Sequence, residues 1–171
     1  MPSQSRLRAK GRREAGAFHA LPAAVLDAPN FIALSPKGCK LVFDLLRQLR
    51  LKKGGPINNG DLAIAWTLMQ PNGWGSKQQL YQARDELEHY GVIVRTRQGG
   101  RHKASLYAFT WWAVNECGGK LDPPYNIERP VPPGTWKDPK PPFEPRPKTE
   151  TVPRQSYQCA PPVVPIRAGR R

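Results

Sequence analysis

The apolar residues of this chain keep a helical period in three places and a period of two in one. Leu41, Leu45, Leu46 and Leu49 fall on one helical face. Ser35-Pro36 before them is an N-cap followed by proline at the first helical position, so a helix is predicted over 35–50, stopped by Gly54-Gly55-Pro56. A second stripe, Leu62, Ala65, Trp66 and Met69, comes after Asn58-Asn59-Gly60-Asp61, which predicts a second capped helix. After the turn cluster QPNGWGS at 70–76 comes a third stripe: Leu80, Ala83, Leu87 and Tyr90, at steps of 3, 4 and 3. Ser76 and Gln79 have the spacing of a capping box, and Gly91 stands where a left-handed terminal residue is wanted, which bounds this helix at 76–90. The period then falls to two. The β-branched run VIVRT and the run through SLYAF alternate around Gly99-Gly100, which predicts a β-hairpin turning on the glycine pair. Ahead of all this, Leu21, Val25, Leu26, Phe31, Ile32 and Leu34 are apolar enough to pack on the unit. Pro22 and Pro29 leave that segment as a short helix or an extended lead-in.

Composition divides the chain into three parts. Residues 1–16 form a basic arm, with Arg6, Arg8, Lys10, Arg12 and Arg13 against the single acid Glu14. Residues 17–121 hold everything capable of a core. Residues 122–171 hold 14 of the 20 prolines, and proline supplies no backbone donor, so this tail is expected to be extended and largely disordered. A helix pair joined by a glycine-containing turn, then a two-stranded ribbon, is the order of a winged helix-turn-helix, an α+β fold.

Charge turns that outline into a function class. The formal net charge is +14, from 27 Lys and Arg against 13 Asp and Glu, which attracts polyanions, nucleic acid first among them. In a winged helix the 76–90 element enters the major groove with its apolar stripe turned inward. Ser76, Lys77, Gln78, Tyr81, Gln82 and Arg84 then face the DNA. Gln pairs with adenine edges, Lys and Arg with guanine edges, and Ser76 and Lys77 lie where a helix N-terminus favours phosphate. Asp85, Glu86 and Glu88 would repel phosphates, but they lie past the first turns, where they can face solvent or pair with Lys and Arg. The wing, 95–107, brings Arg95, Arg97, Arg101, His102 and Lys103 around Gly99 and Gly100 toward backbone or minor groove. The arm cations Arg6, Arg8, Lys10, Arg12 and Arg13 suit a minor groove as well.

Other classes find little support. The sequence has no P-loop, no metal-ligand spacing, no nucleophile elbow and no carboxylate pair near a histidine, so neither an enzyme nor a cofactor is expected. Cys39, Cys117 and Cys159 are too scattered for a zinc motif and too few for a disulfide framework, which fits a reducing cytoplasm. No apolar run is long enough for a membrane span. Pro-x-x-Pro spacings such as Pro130–Pro133, Pro139–Pro142 and Pro142–Pro145 permit the tail to dock a protein partner, though plain spacers commonly carry the same spacing. Whether the protein forms a homodimer stays open at this level.

The stretches NNGDLAIAW and GWGSKQQLYQARDELEHYGVIVRTRQGGRHKASLYAFTW, with ECGGKLD after them, resemble small winged-helix proteins of proteobacterial prophages and integrative elements. They are also similar to the DNA-binding domain of phage replication-initiator proteins. The resemblance covers residues 34–122, about half the chain, and its most specific part is RQGGRHKASLYAFTW. It implies winged-helix binding to double-stranded DNA, with Lys77, Gln78, Tyr81 and Arg84 on recognition-helix positions, on a bacterial nucleoid in the cytoplasm. A transcriptional regulator or accessory factor of a mobile element is the expectation. The alternatives are a replication-initiation or recruitment protein on origin repeats, or a winged helix that docks protein instead of DNA.

Overall fold

A computed structural model describes residues 19–52, 55–127 and 131–145. The fold is α+β. Two single-turn helices, α1 (Ala23–Leu26) and α2 (Pro29–Ile32), lead into α3 (Pro36–Leu46). A small antiparallel pair comes next, β1 (Leu51–Lys52) and β2 (Gly55–Pro56). Then come β3 (Leu62–Ala63), α4 (Trp66–Met69), α5 (Lys77–His89), β4 (Ile93–Arg97) and β5 (Leu106–Phe109). The last strands form an antiparallel sheet in the order β3-β5-β4, with β5 in the centre.

The two long helices start where the sequence placed them. The Ser35 hydroxyl accepts the Gly38 N–H at 3.1 Å, and the Ser76 hydroxyl accepts the Gln79 N–H at 3.2 Å, the forward half of the capping box. Their stripes interlock: Leu41, Leu45 and Leu46 of α3 and Leu80, Ala83 and Leu87 of α5 are all buried in one core with Tyr90 and Phe109. Glu86 ties the same two helices polar-side. Its carboxylate, buried on α5, accepts the Ser35 N–H at 2.7 Å and the Ser35 hydroxyl at 2.6 Å. A carboxylate at the first turn of α3 satisfies a backbone donor and complements the helix dipole.

Four expectations need correction. The helix read over 35–50 ends at Leu46, because the next backbone groups turn tightly and Asn58 takes over: its carboxamide donates to Gln48 O at 2.9 Å and accepts the Arg50 N–H at 2.7 Å. The second helix does not start at residues 58–61. Leu62 and Ala63 pair with Tyr107 and Leu106 as the edge strand β3, and the helix is the single turn Trp66–Met69. Asn59 is a core residue instead of a cap (its relative exposure is 0%).

The third correction concerns the hairpin. Neither Gly99 nor Gly100 has a positive φ; the chain reverses at Arg101-His102, closed by a bridge between Gly100 and Lys103. Gly99 is required for a different reason: a Cβ there would meet Ser105 N at 2.6 Å and Ser105 Oγ at 2.7 Å, whereas a Cβ on Gly100 would meet nothing within 4 Å. Gly99→Ala is therefore expected to lower stability by about 1–3 kcal/mol through forced separation of the strands. Gly100→Ala should stay within about 0.5 kcal/mol of the parent. Urea unfolding of the two variants side by side checks the contrast, and equal midpoints would remove this role of Gly99.

The fourth correction moves the domain boundary. The packed unit continues beyond 121. Asp122 N–H donates to Thr96 O at 2.9 Å and its carboxylate accepts the Gln98 N–H at 2.6 Å, so ECGGKLD braces the outer edge of β4. Residues 131–145 form a strap with a single 3-10 turn at Thr135–Lys137, and Trp136 and Phe143 pack on the main core. The strap needs Gly91, which the sequence marked for its conformation (φ 66): a Cβ there would stand 2.6 Å from Thr135 O. The basic arm and the chain after 145 lie outside the described residues.

Candidate nucleic-acid interface

The exposed side of α5 is built by subtraction. Leu80, Ala83, Glu86 and Leu87 face the core, which leaves Lys77, Gln78 and Tyr81 exposed, with Gln82 and Arg84 half-buried at the margins. Ser76 is half-buried and occupied by capping. The hairpin between β4 and β5 stands beside one edge of this helix. Lys77, Tyr81 and Arg84, at steps of four and three, share an open cleft of about 370 Å³ with Ala104, Ser105 and Tyr107 of the hairpin. Trp66 and Thr67 of α4 close its floor. The hairpin tip carries Arg101, His102 and Lys103, all exposed.

The structure separates the candidate cations into two groups. Arg84 is engaged on its own helix: its guanidinium binds Asp85 at 2.5 Å, lies 3.8 Å from Glu88, and stacks over Tyr81 at 5.0 Å. Arg95 pairs with Glu88 at 2.9 Å, bonds Gln98 at 2.8 Å, and lies 5.8 Å from the Tyr107 ring. Arg97 donates to the carbonyls of Ala104 at 2.9 Å and Lys120 at 3.4 Å, spanning the hairpin root. Of the three, Arg95 ties the hairpin to α5, Arg84 is held within α5 itself, and Arg97 closes the hairpin on Ala104 and Lys120. Lys77, Arg101 and Lys103 instead expose their charge to solvent, with His102 exposed beside them.

Two of the late acids of α5 are the partners of those arginines. Burial alone would lower the Arg84 and Arg95 pKa values, but Asp85 and Glu88 outweigh it and raise both. The Tyr107 phenol at the hub is pushed up, chiefly by burial and further by Glu88, against the pull of Arg84 and Arg95. It stays a neutral hydroxyl. Glu88, through Arg95, thus ties the helix to the hairpin without presenting a bare negative charge.

Some contributors were missed by the sequence. Trp66, Thr67, Ser105 and Tyr107 line the cleft, yet only the pairing of β3 with β5 brings their segments together. His89 donates to Pro141 O at 2.8 Å and belongs to the strap. Among the described residues, no group of three or more His, Cys, Asp or Glu is placed to hold a metal ion, and no helix is long and apolar enough to cross a membrane. No protein-family model, curated protein or solved structure matches this chain.

Proposed function

We propose that this protein is a winged helix-turn-helix that binds double-stranded DNA, with α5 in the major groove and the 95–107 hairpin as its wing on backbone or minor groove. The observation that carries the reading is the shared cleft: the Lys77–Tyr81 edge of α5 and the hairpin root at Ala104–Ser105 lie side by side, with the exposed cations of the tip beyond them. A duplex laid on α5 meets both at once. A chain of net charge +14 supplies the long-range attraction. The element order helix, strand, helix, helix, strand, wing, strand supports the same fold reading. The resemblance to proteins of prophages and integrative elements supplies the setting, a regulator or accessory factor of a mobile element.

Titration of the full chain against a labelled random-sequence duplex at several salt concentrations tests this. Tight binding at low salt that falls steeply as salt rises is expected, since each neutralised phosphate releases a counterion. No binding at low salt overturns the proposal and leaves a protein-docking module.

Base reading is assigned more narrowly than sequence alone allowed. Gln78 is exposed in the middle of the face and is expected to contact base edges. Gln78→Ala should therefore relax sequence preference by about 1–3 kcal/mol at one position, as read by selection from randomised duplexes. Arg84→Ala should shift all sequences together, because its guanidinium is held by Asp85 and Glu88 of its own helix and its loss removes charge without removing a base contact. A selective loss in Arg84→Ala would reverse that assignment.

A further inference from the structure

The cleft between α5 and the hairpin holds more than a passing phosphate uses. It encloses about 370 Å³, near the lower end of the range for small-ligand sites. Trp66 is half-buried, packs against the main core and lines the cleft. Tyr81 lines it from α5 and stays 37% exposed, with the Arg84 guanidinium 5.0 Å over its ring. Asp85 and Glu88 hold that guanidinium on the helix, so the Tyr81 ring has a fixed neighbour.

The polar groups narrow the ligand further. Lys77 and Thr67 line the cleft and are both exposed, whereas Ser105 is half-buried and its hydroxyl accepts the Gly99 N–H at 3.0 Å. An exposed ammonium, an exposed hydroxyl and two rings suit a flat ring that carries an anion. An apolar ligand would leave Lys77 and Thr67 without a role, and an inorganic anion would leave Trp66 and Tyr81 without one. A nucleotide uses both kinds of group: its phosphate pairs with an ammonium and its base stacks on an aromatic side chain. In a fully paired duplex every base is already stacked on its neighbours. The rings can then be reached only by a base that has left the stack.

Resting on the DNA-binding reading above, we propose that this cleft receives one unstacked nucleotide of the bound DNA, its base against the Trp66 and Tyr81 rings and its phosphate at Lys77. The place suits the task. The cleft lies between the helix assigned to the major groove and the hairpin assigned to the backbone, so a strand passing from one to the other crosses its mouth. The contact accepts any base, because every base has a π-face, and it therefore selects interrupted pairing instead of sequence. Extruding a base costs its pairing and stacking, and that cost is least where pairing is already broken. A duplex with an unpaired nucleotide beside the α5 contact is then a better target than an intact one.

The test uses the full chain and three labelled duplexes of one length at one low salt concentration. The first is fully paired, the second carries a single bulged base, and the third carries the same bulge with an abasic residue. The bulged base is expected to bind about tenfold tighter than the abasic bulge, within the roughly 5- to 150-fold that one stacked base supplies. Comparison with the abasic bulge separates the base from the flexibility that any bulge confers. Trp66→Leu keeps an apolar side chain against the core, and Tyr81→Leu replaces an exposed ring. Each should bring the ratio of the two bulges toward one, and a ratio taken within one preparation is unaffected by any loss of folded protein. Equal affinity of the parent for base and abasic bulges overturns the inference while duplex binding stands. A parental ratio retained in both variants overturns the placement in this cleft. A parent chain that binds none of the three duplexes overturns both this inference and the reading beneath it.

Discussion

Replacing Asn59 with alanine is expected to destabilise the fold by about 3–4 kcal/mol and to lower the thermal midpoint by about 15 °C. The side chain sits where the chain leaves the central strand of the sheet. Its amide nitrogen donates to the carbonyls of Phe109 at 2.9 Å, Trp112 at 3.2 Å and Ala113 at 2.9 Å, and its oxygen accepts the Phe109 N–H at 2.8 Å. Truncation strands the Phe109 donor and these carbonyls in a buried place, and each unsatisfied buried group costs about 1–3 kcal/mol. Asn59→Asp separates hydrogen bonding from volume: it keeps an acceptor for Phe109 N–H but turns a carboxylate oxygen toward carbonyls, so a comparable loss is expected. Denaturant unfolding of the three proteins measures this. If Asn59→Ala loses less than about 1 kcal/mol at unchanged m, the network is not what holds this end of the sheet.

Asn59 also shows where sequence reading stopped. Asn58-Asn59-Gly60-Asp61 has the composition of a helix cap, and Leu62, Ala65, Trp66 and Met69 have helical spacing, so the local pattern pointed to a helix. The chain pairs Leu62 with Tyr107 instead. A strand of two residues has no period to detect, and its partner lies more than forty residues away, so only tertiary structure decides it. By contrast α5 carried its own boundaries: the Ser76 cap, the buried Leu80, Ala83 and Leu87, and the left-handed Gly91 were all local signals.

The site was legible to the same limit. Lys77, Gln78 and Tyr81 follow from helical period alone and are exposed in the structure. Arg84 is occupied by Asp85 and Glu88 of its own helix, a local arrangement, but that Arg95 is occupied by Glu88 depends on how β4 lies against α5, which no local pattern encodes. The strap was hidden by composition. Proline-rich sequence reads as disorder, yet Trp136 and Phe143 within it are the apolar anchors, and two aromatic residues in a segment otherwise poor in them were the available sign.

The largest effect on binding is expected from removing the three solvent-facing cations together. In the variant Lys77→Ala, Arg101→Ala, Lys103→Ala the salt slope should fall by about 2.7, or about 0.9 per contact, which at about 0.1 M salt is roughly a hundredfold or more in affinity. Stability should change little, because all three side chains are exposed. Arg97→Ala is the matched control. It also removes a hairpin cation, but one spent on the Ala104 and Lys120 carbonyls, so it should weaken the hairpin and leave the slope near the parent's. The pair of results distinguishes charge that reaches the duplex from charge that merely builds the wing. Should Arg97→Ala flatten the slope as much as the triple variant does, net charge alone would account for binding, and the division between root and tip would fail. If only the triple variant flattens it, the crowding of cations at this hairpin resolves into two jobs: arginines at the root, Arg95 fastening it to α5 and Arg97 closing it on Ala104 and Lys120, and a tip whose charge is kept for phosphate.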